Sequence, residues 1–397
     1  MSMQANQKPK QPSKAALALR REERKNVFLA AVVVSVLLLV VSLLTLVGKD
    51  RAYSEDENRY LQGRPALSLS AVADGTFMDE TEAWLSDQFV GRDLLVKARA
   101  RLDLFEGKRD LNDVYVGKDH FLFEKPSPYD EAVVGKTLDV MKKVSAAAAE
   151  KGARTYIALA PNANELLSDY LPENAPNTDQ TAQIKRVYEA LPTVRGVDLV
   201  TPLKKAEHPE TLYYKTDHHW TAAAAEPAFF ALMEAMEVDT NGFRYKQYPV
   251  TNDFRGTLAS SSGLALTSDT IFVSVPDNAG EYVVTYVAEN RKEASCFDPS
   301  KLSEKDKYEV FFGGNYGEVR IDTNAASDRV LLLIKDSYAN CVVPLLTPYF
   351  RTIVMVDPRY YAEDLNATME REGITDLLWF YNVNTFLKDT SIANKLG

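Results

Sequence analysis

The stretch Tyr213–Ala222, YYKTDHHWTA, sets Asp217, His218 and His219 side by side in a chain that has four histidines in all. In an extended segment, residues two apart project to the same side, so Asp217 and His219 would face together. A carboxylate that accepts a hydrogen bond from one imidazole nitrogen fixes the tautomer and leaves the other nitrogen as a base. On this reading Asp217 orients His219, His219 takes a proton, and His218 points the other way. An aspartate and two histidines can also ligate zinc or iron. Adjacent histidines diverge in an extended segment, however, and the sequence has no His-x-x-x-His motif, so no metal and no cofactor are assigned.

A base of this kind needs a nucleophile, and VLLLIKDSYAN supplies one. The apolar run Val330–Ile334 reads as a buried strand that stops abruptly at Lys335, Asp336 and Ser337. A serine on a strand-to-helix turn presents its hydroxyl at the sheet edge, beside backbone N–H groups able to hold an oxyanion. Cys341 follows one helical turn later and reads as a small buried hydrophobe.

The elements that must position these groups are legible as periodicities. TLDVMKKVSAAAAEKG reads as a helix ending at Gly152, and TYIALAP after it as a strand apolar on both faces. The same kind of strand recurs in RVLLLIKDS, RTIVMVDP and TDLLWFYN, the last preceded by a helical YAEDLNATMEREG. Thr221 reads as the cap of a helix that follows Trp220. Strands alternating with amphipathic helices predict an α/β domain whose mostly parallel sheet is covered on both faces. From about 245 to 323 the runs TIFVSV, YVVTYV, YEVFFGG and EVRID read instead as an antiparallel β-rich insertion. Phe77–Phe105 reads as helix broken near Gly91. VYVGKDHFLFEKP reads as a hairpin that packs His120, while His208 lies in a charged loop. Arg359 and Asn384 each follow a strand and either line the cleft or serve a salt bridge or turn.

The N-terminal region has a different character. Asn26–Gly48 carries no charge and is closed off by Lys25 and Lys49. As a helix it would be roughly 34 Å long, enough to cross a bilayer core. Residues 1–25 hold seven basic side chains against two acidic ones, which keeps this end cytoplasmic and sends the rest outward. The apolar run is longer than that of a cleaved signal peptide, so it reads as a signal anchor. The division is then a basic cytoplasmic tail over 1–25, a transmembrane segment over 26–48, a juxtamembrane linker over 49–70, and an extracytoplasmic domain over 71–397. Taking the +5 of that tail from the whole-chain charge of −10 leaves −15 on the remainder, which excludes a nucleic-acid binder. Cys296 and Cys341 allow at most one disulfide and no structural zinc knuckle.

TDHHW and KDSYAN, together with ENRYLQGRP, DQFVGRD and GKDHFLF, resemble the DHHW family of bacterial proteins. The resemblance spans about residues 54–388. That family is similar to the alginate O-acetyltransferase proteins, whose SGNH-hydrolase-like domain carries an Asp-x-His pair ahead of its serine, as Asp217, His219 and Ser337 do here. It implies an SGNH-like three-layer fold in which Ser337 is the nucleophile, His219 the general base and Asp217 its orienting partner. Lys335 stands where that nucleophile block usually has glycine, which leaves the oxyanion donors open. The Ser337 N–H is the first choice and Gly256 of FRGTLASSSG the second, with His218, Trp220, Arg359 and Asn384 as possible substrate contacts. The resemblance further implies an O-acyltransferase, acetyl above all, that acts on a cell-surface polysaccharide and receives its acyl group from a membrane-bound O-acyltransferase. A polysaccharide esterase of the same mechanism and a non-catalytic carbohydrate-binding assembly factor are the alternatives.

Overall fold

A computed structural model describes residues 13–54, 56–57, 59–278 and 280–397. They divide into two compact units, residues 13–54 with Arg59–Val96, and Lys97–Gly397 with the short piece at 56–57.

The first unit begins with the helix Lys14–Val47. Its segment Ala18–Val47 is long and apolar enough to cross a membrane, and its most apolar stretch is unburied. The helix starts ahead of the uncharged run and takes in the basic residues from Lys14 onward; Lys8 and Lys10 lie outside the described residues. The expected linker over 49–70 is folded rather than extended. Asp50 accepts the Trp84 indole N–H at 3.0 Å and the Arg64 backbone N–H at 2.8 Å. Buried Asp87 on the helix Thr76–Gln88 accepts Arg59 and the Gln62 N–H. Side chains that need hydrogen-bond partners thus draw this segment onto the helix, and the boundary between compact units falls at Val96/Lys97, not near residue 70. The break at Gly91 is present, with φ at +81°.

In the second unit, eight strands form one sheet: β1 (Arg154–Ala160), β2 (Arg195–Val197), β3 (Tyr282–Tyr286), β4 (Arg291–Glu293), β5 (Glu318–Thr323), β6 (Val330–Lys335), β7 (Thr352–Val356) and β8 (Asp376–Asn382). Their order is β4-β3-β5-β7-β6-β8-β1-β2. The five strands from β7 to β2 are parallel, and β5, β3 and β4 extend the β7 edge in antiparallel fashion. The fold is α/β with a mostly parallel sheet, as expected.

Side-chain alternation with period two builds two cores. Leu331, Leu333, Leu378 and Phe380 face one side, where they meet Ala225, Phe229 and Leu232 of the helix Ala222–Ala235. Val330, Leu332, Ile334, Leu377 and Trp379 face the other, against Leu138, Met141 and Val144 of the helix Glu131–Glu150 and Met369 of the helix Leu365–Glu372. Because both faces are covered, the strands read as continuous apolar runs.

The expected β-rich insertion is only partly separate. Tyr245–Phe254 and Asp269–Pro276 make their own two-stranded sheet, whereas β3, β4 and β5 join the large one. YEVFFGG is not a strand: Lys307–Val310 is a 3-10 turn, and Phe312, Gly313 and Gly314 all take positive φ. Three successive left-handed residues cannot extend a pleated chain. His120 is exposed on a 3-10 turn, not packed within the hairpin. Cys296 and Cys341 are both buried free thiols.

Candidate active site

Ser337 stands two residues beyond β6, at the carboxyl end of the parallel strands, and opens a 3-10 turn over Ser337–Cys341. Asp336 caps that turn: Oδ1 accepts the Tyr338 N–H at 2.9 Å, and Oδ2 accepts the N–H and side-chain amide of Asn382 at 2.9 and 2.8 Å. One carboxylate therefore locks the serine turn to the end of β8. Burial pushes the Asp336 carboxyl up to about 6, against the hydrogen bonds from Asn382 and Tyr338 and the nearby Arg359 and Lys335 charges. As first residue of the turn, Ser337 carries a backbone N–H with no carbonyl one turn back to bond.

Across the cleft, a tight loop carries Asp217 and His219. Tyr213 and Trp220 bridge its ends, and Asp269 accepts the N–H groups of Lys215 and Thr216 at 2.9 and 2.8 Å. The three groups meet in line. Ser337 Oγ lies 2.7 Å from His219 Nε2, and His219 Nδ1 lies 2.6 Å from Asp217 Oδ1. The other carboxylate oxygen accepts the Thr257 N–H at 2.7 Å and its hydroxyl at 3.0 Å.

Burial alone would raise the Asp217 carboxyl, but the His218 and His219 imidazoles and the hydrogen bonds from His219 outweigh it and hold the group well below the carboxylate range. His219 is pushed down to about 4, chiefly by burial and then by His218, while Asp217 works the other way. At neutral pH the imidazole is uncharged and able to accept a proton. Tyr308 stacks flat on it, ring centroids 3.8 Å apart and planes 13° apart, and its hydroxyl reaches Ser337 O at 3.4 Å.

His218 departs from expectation. The loop bends instead of running extended, so the His218 ring lies 3.9 Å from that of His219 rather than opposite it. Its Nδ1 bonds the Thr257 hydroxyl at 2.7 Å and its carbonyl accepts the Tyr338 hydroxyl. Asp217, His218 and His219 thereby bring one potential ligand atom each within 4.8 Å. Both Nδ1 atoms are engaged in hydrogen bonds, however, one with Thr257 and one with Asp217.

Gly256 lies against Asp217, and its N–H goes to Thr216 Oγ1 at 3.1 Å, which corrects the expectation of an oxyanion donor. A methyl group there would fall 2.1 Å from Asp217 Oδ2, so the position needs glycine for space. Trp220 is fully buried and donates its indole N–H to Tyr338 O at 2.9 Å, which supports the serine turn from below and leaves no face for substrate. Asn384 is likewise buried. Its amide is spent on Ser127, Gln180, Glu124 and Lys125, so it is a structural knot and not a cleft residue. Arg359 forms the paired bond to Asp357, at 2.9 and 2.6 Å, yet its charge reaches both His219 and Asp336.

Three participants were not found in the sequence. Thr257, Tyr308 and Asp269 contact the site from segments distant in the chain, and no local motif marks them. Lys335 turns away into a buried pocket, 2.8 Å from Asn315 Oδ1 and 3.6 Å from Asp357. Burial lowers its ammonium pKa, against the pull of Asp357.

A serine, a histidine and an aspartate in line at the carboxyl edge of an SGNH-like sheet define the class of site. Residues 114–304, just under half of the chain, match the family described as SGNH hydrolase-like domain, acetyltransferase AlgX. That stretch includes Asp217–Trp220 and ends before Ser337. The probable alginate O-acetylase AlgJ of Pseudomonas putida is 26% identical over 129 residues, 31% of this chain and 34% of that protein. The AlgJ of Pseudomonas syringae pv. tomato is 25% identical over 167 residues, 40% of this chain and 42% of that protein. The chain thus spans well under half the length of these relatives. A DHHW family protein from Eubacterium siraeum superposes with a TM-score of 0.60 at 23% identity, over 72% of this chain and 96% of that one. Bacillus cereus PatB1, solved with a sulfonyl adduct, gives 0.59 at 20% identity, over 70% and 97%. The resemblance to the DHHW and SGNH-like acetyltransferase proteins is borne out, and the chain is related to SGNH-like O-acetyltransferases.

Proposed function

We propose that this protein is a membrane-anchored serine O-acyltransferase, acetyl by preference, that modifies a polysaccharide outside the cytoplasm. The observation that carries the reading is the 2.7 Å approach of Ser337 Oγ to His219 Nε2, with Asp217 2.6 Å behind the ring. In the first half-reaction Ser337 Oγ attacks the acyl carbonyl carbon and its proton passes to His219 Nε2. The carbonyl electrons move to oxygen, where the Ser337 N–H is the donor at hand. As the intermediate collapses, the bond to the leaving oxygen breaks, His219 gives it the proton, and the acyl group remains as an ester on Ser337. In the second, His219 takes the proton of a sugar hydroxyl that attacks this ester, and Ser337 leaves with the proton restored. Asp217 stays ionised throughout and stabilises the imidazolium.

The uncharged run 26–48 at the end of the helix Lys14–Val47 is read as a single span, with the basic N-terminal side inside. A membrane-bound O-acyltransferase that passes acyl groups outward is the proposed donor. The decisive experiment is Ser337→Ala in the full chain. It should abolish the acyl adduct seen by mass spectrometry after incubation with an activated acetyl ester, along with polymer acetylation. Full polymer acetylation by Ser337→Ala would instead identify a binding or assembly factor. Adduct formation with water as the sole acceptor would identify an esterase.

A further inference from the structure

The anchor helix does not leave its last turn as a bare stalk. Thr45, buried, accepts the Val90 N–H at 3.2 Å through its hydroxyl while donating to Val41 O at 2.9 Å. The Arg64 guanidinium donates to Leu46 O at 2.8 Å and lies 4.8 Å from the Trp84 ring. Gln88 clamps Arg51 through both backbone groups, N–H and carbonyl, each at 2.9 Å. The elbow Gln88–Leu95 between two helices is therefore fixed at the level of Thr45, which lies inside the apolar segment Ala18–Val47.

That level matters because the elbow turns apolar side chains outward: Phe89 is 37% exposed, Val90 43%, Leu94 72% and Leu95 55%. Exposed apolar residues scattered singly need no explanation. These four are neighbours, and they are tied to a residue two positions before the end of a span. A cleft of about 290 Å³ beside them is lined by Leu44, Val90 and Leu94 together with Lys49, Arg51 and Arg92 and the carboxylates of Asp50 and Asp93, and Arg51 pairs with Asp93 at 2.7 Å. A contiguous apolar face held beside the end of a span matches the acyl-chain level of a bilayer interface, with charged side chains at its rim.

We propose that this elbow is a second membrane contact: Phe89, Val90, Leu94 and Leu95 enter the leaflet beside the end of the anchor. The proposal rests on reading 26–48 as a membrane span. Each backbone N–H that enters the lipid level needs a partner, and Thr45 supplies one for Val90.

The test uses the full chain in vesicles of phosphatidylethanolamine and phosphatidylglycerol containing acyl-brominated lipid. Leu39→Cys, Val90→Cys and Leu94→Cys each carry an environment-sensitive fluorophore; the native thiols are buried. The expected result is loss of most of the fluorescence at all three positions. Quenching at Leu39 without quenching at Val90 and Leu94 overturns the elbow and leaves the anchor standing. Absence of quenching at all three overturns both. Labels at Val90 and Leu94 that resist brominated lipid and also aqueous iodide mean that a protein surface covers the face, which overturns the lipid assignment.

Discussion

At the scale of single residues, the two adjacent histidines have separate tasks. His219 holds Ser337 and Asp217 at its two nitrogens, whereas His218 bonds Thr257 and borders the cleft. His219→Ala is expected to lower kcat/KM by ~10⁴-fold or more, the cost of losing a triad member. His218→Ala should cost at most ~100-fold, as loss of an outer hydrogen-bonding partner does. Aryl acetate kinetics separate the two, and equal losses would remove the distinction. The pH dependence follows from the His219 imidazole, pushed down to about 4. Above that value the ring is neutral and can accept the serine proton; below it the ring is charged and cannot. The acid limb of kcat/KM set by His219 should therefore fall with an apparent pKa near 4. An acid limb near 6.5 would mean that His219 is not desolvated in the working protein.

At the scale of elements, the serine turn was the most legible part, because VLLLIKDS places polar residues abruptly after an apolar run and only a strand end explains that. The parallel strands and their covering helices were readable for the same reason. What the sequence hid depends on meetings between distant segments. The hairpin from Tyr245 to Pro276 holds between its strands the helix Thr257–Ser262, and that helix delivers Thr257 to Asp217. Nothing local to FRGTLASSSG indicates this destination. The bend at Asp217–His219 was equally hidden, since alternation assumes an extended chain. Gly256 gives the element-scale prediction. Gly256→Ala sets a methyl group 2.1 Å from Asp217 Oδ2, so either the carboxylate or the 256–257 backbone must move. Misplacement of about 1 Å costs ~100-fold in rate, and overpacking costs ~1–3 kcal/mol. Steady-state kinetics and chemical denaturation should register both losses. Parent-like kinetics would show that the Asp217 position is not critical.

At the scale of the whole molecule, the proposed topology predicts that protease added to intact cells stripped of outer barriers digests everything beyond the anchor and spares the basic N-terminal side. Protection of the larger unit in such cells would reverse the orientation. The sheet carries a further consequence for how this protein comes into being. Strand β8, Asp376–Asn382, is paired on one side with β6, which precedes Ser337, and on the other with β1, which begins at Arg154. The chain is synthesised from its N-terminus, so β1, already able to pair with β2, must wait for more than half the sequence before β8 exists. A premature stop after Tyr361 would retain Asp217, His219 and Ser337, yet it would leave the sheet in two pieces with bare edges. Such late, long-range pairing is slow and exposes strand edges to aggregation. The nascent chain therefore cannot join the strand before Ser337 to β1 and β2 until β8 has been made, and a product truncated before it should meet quality-control proteases.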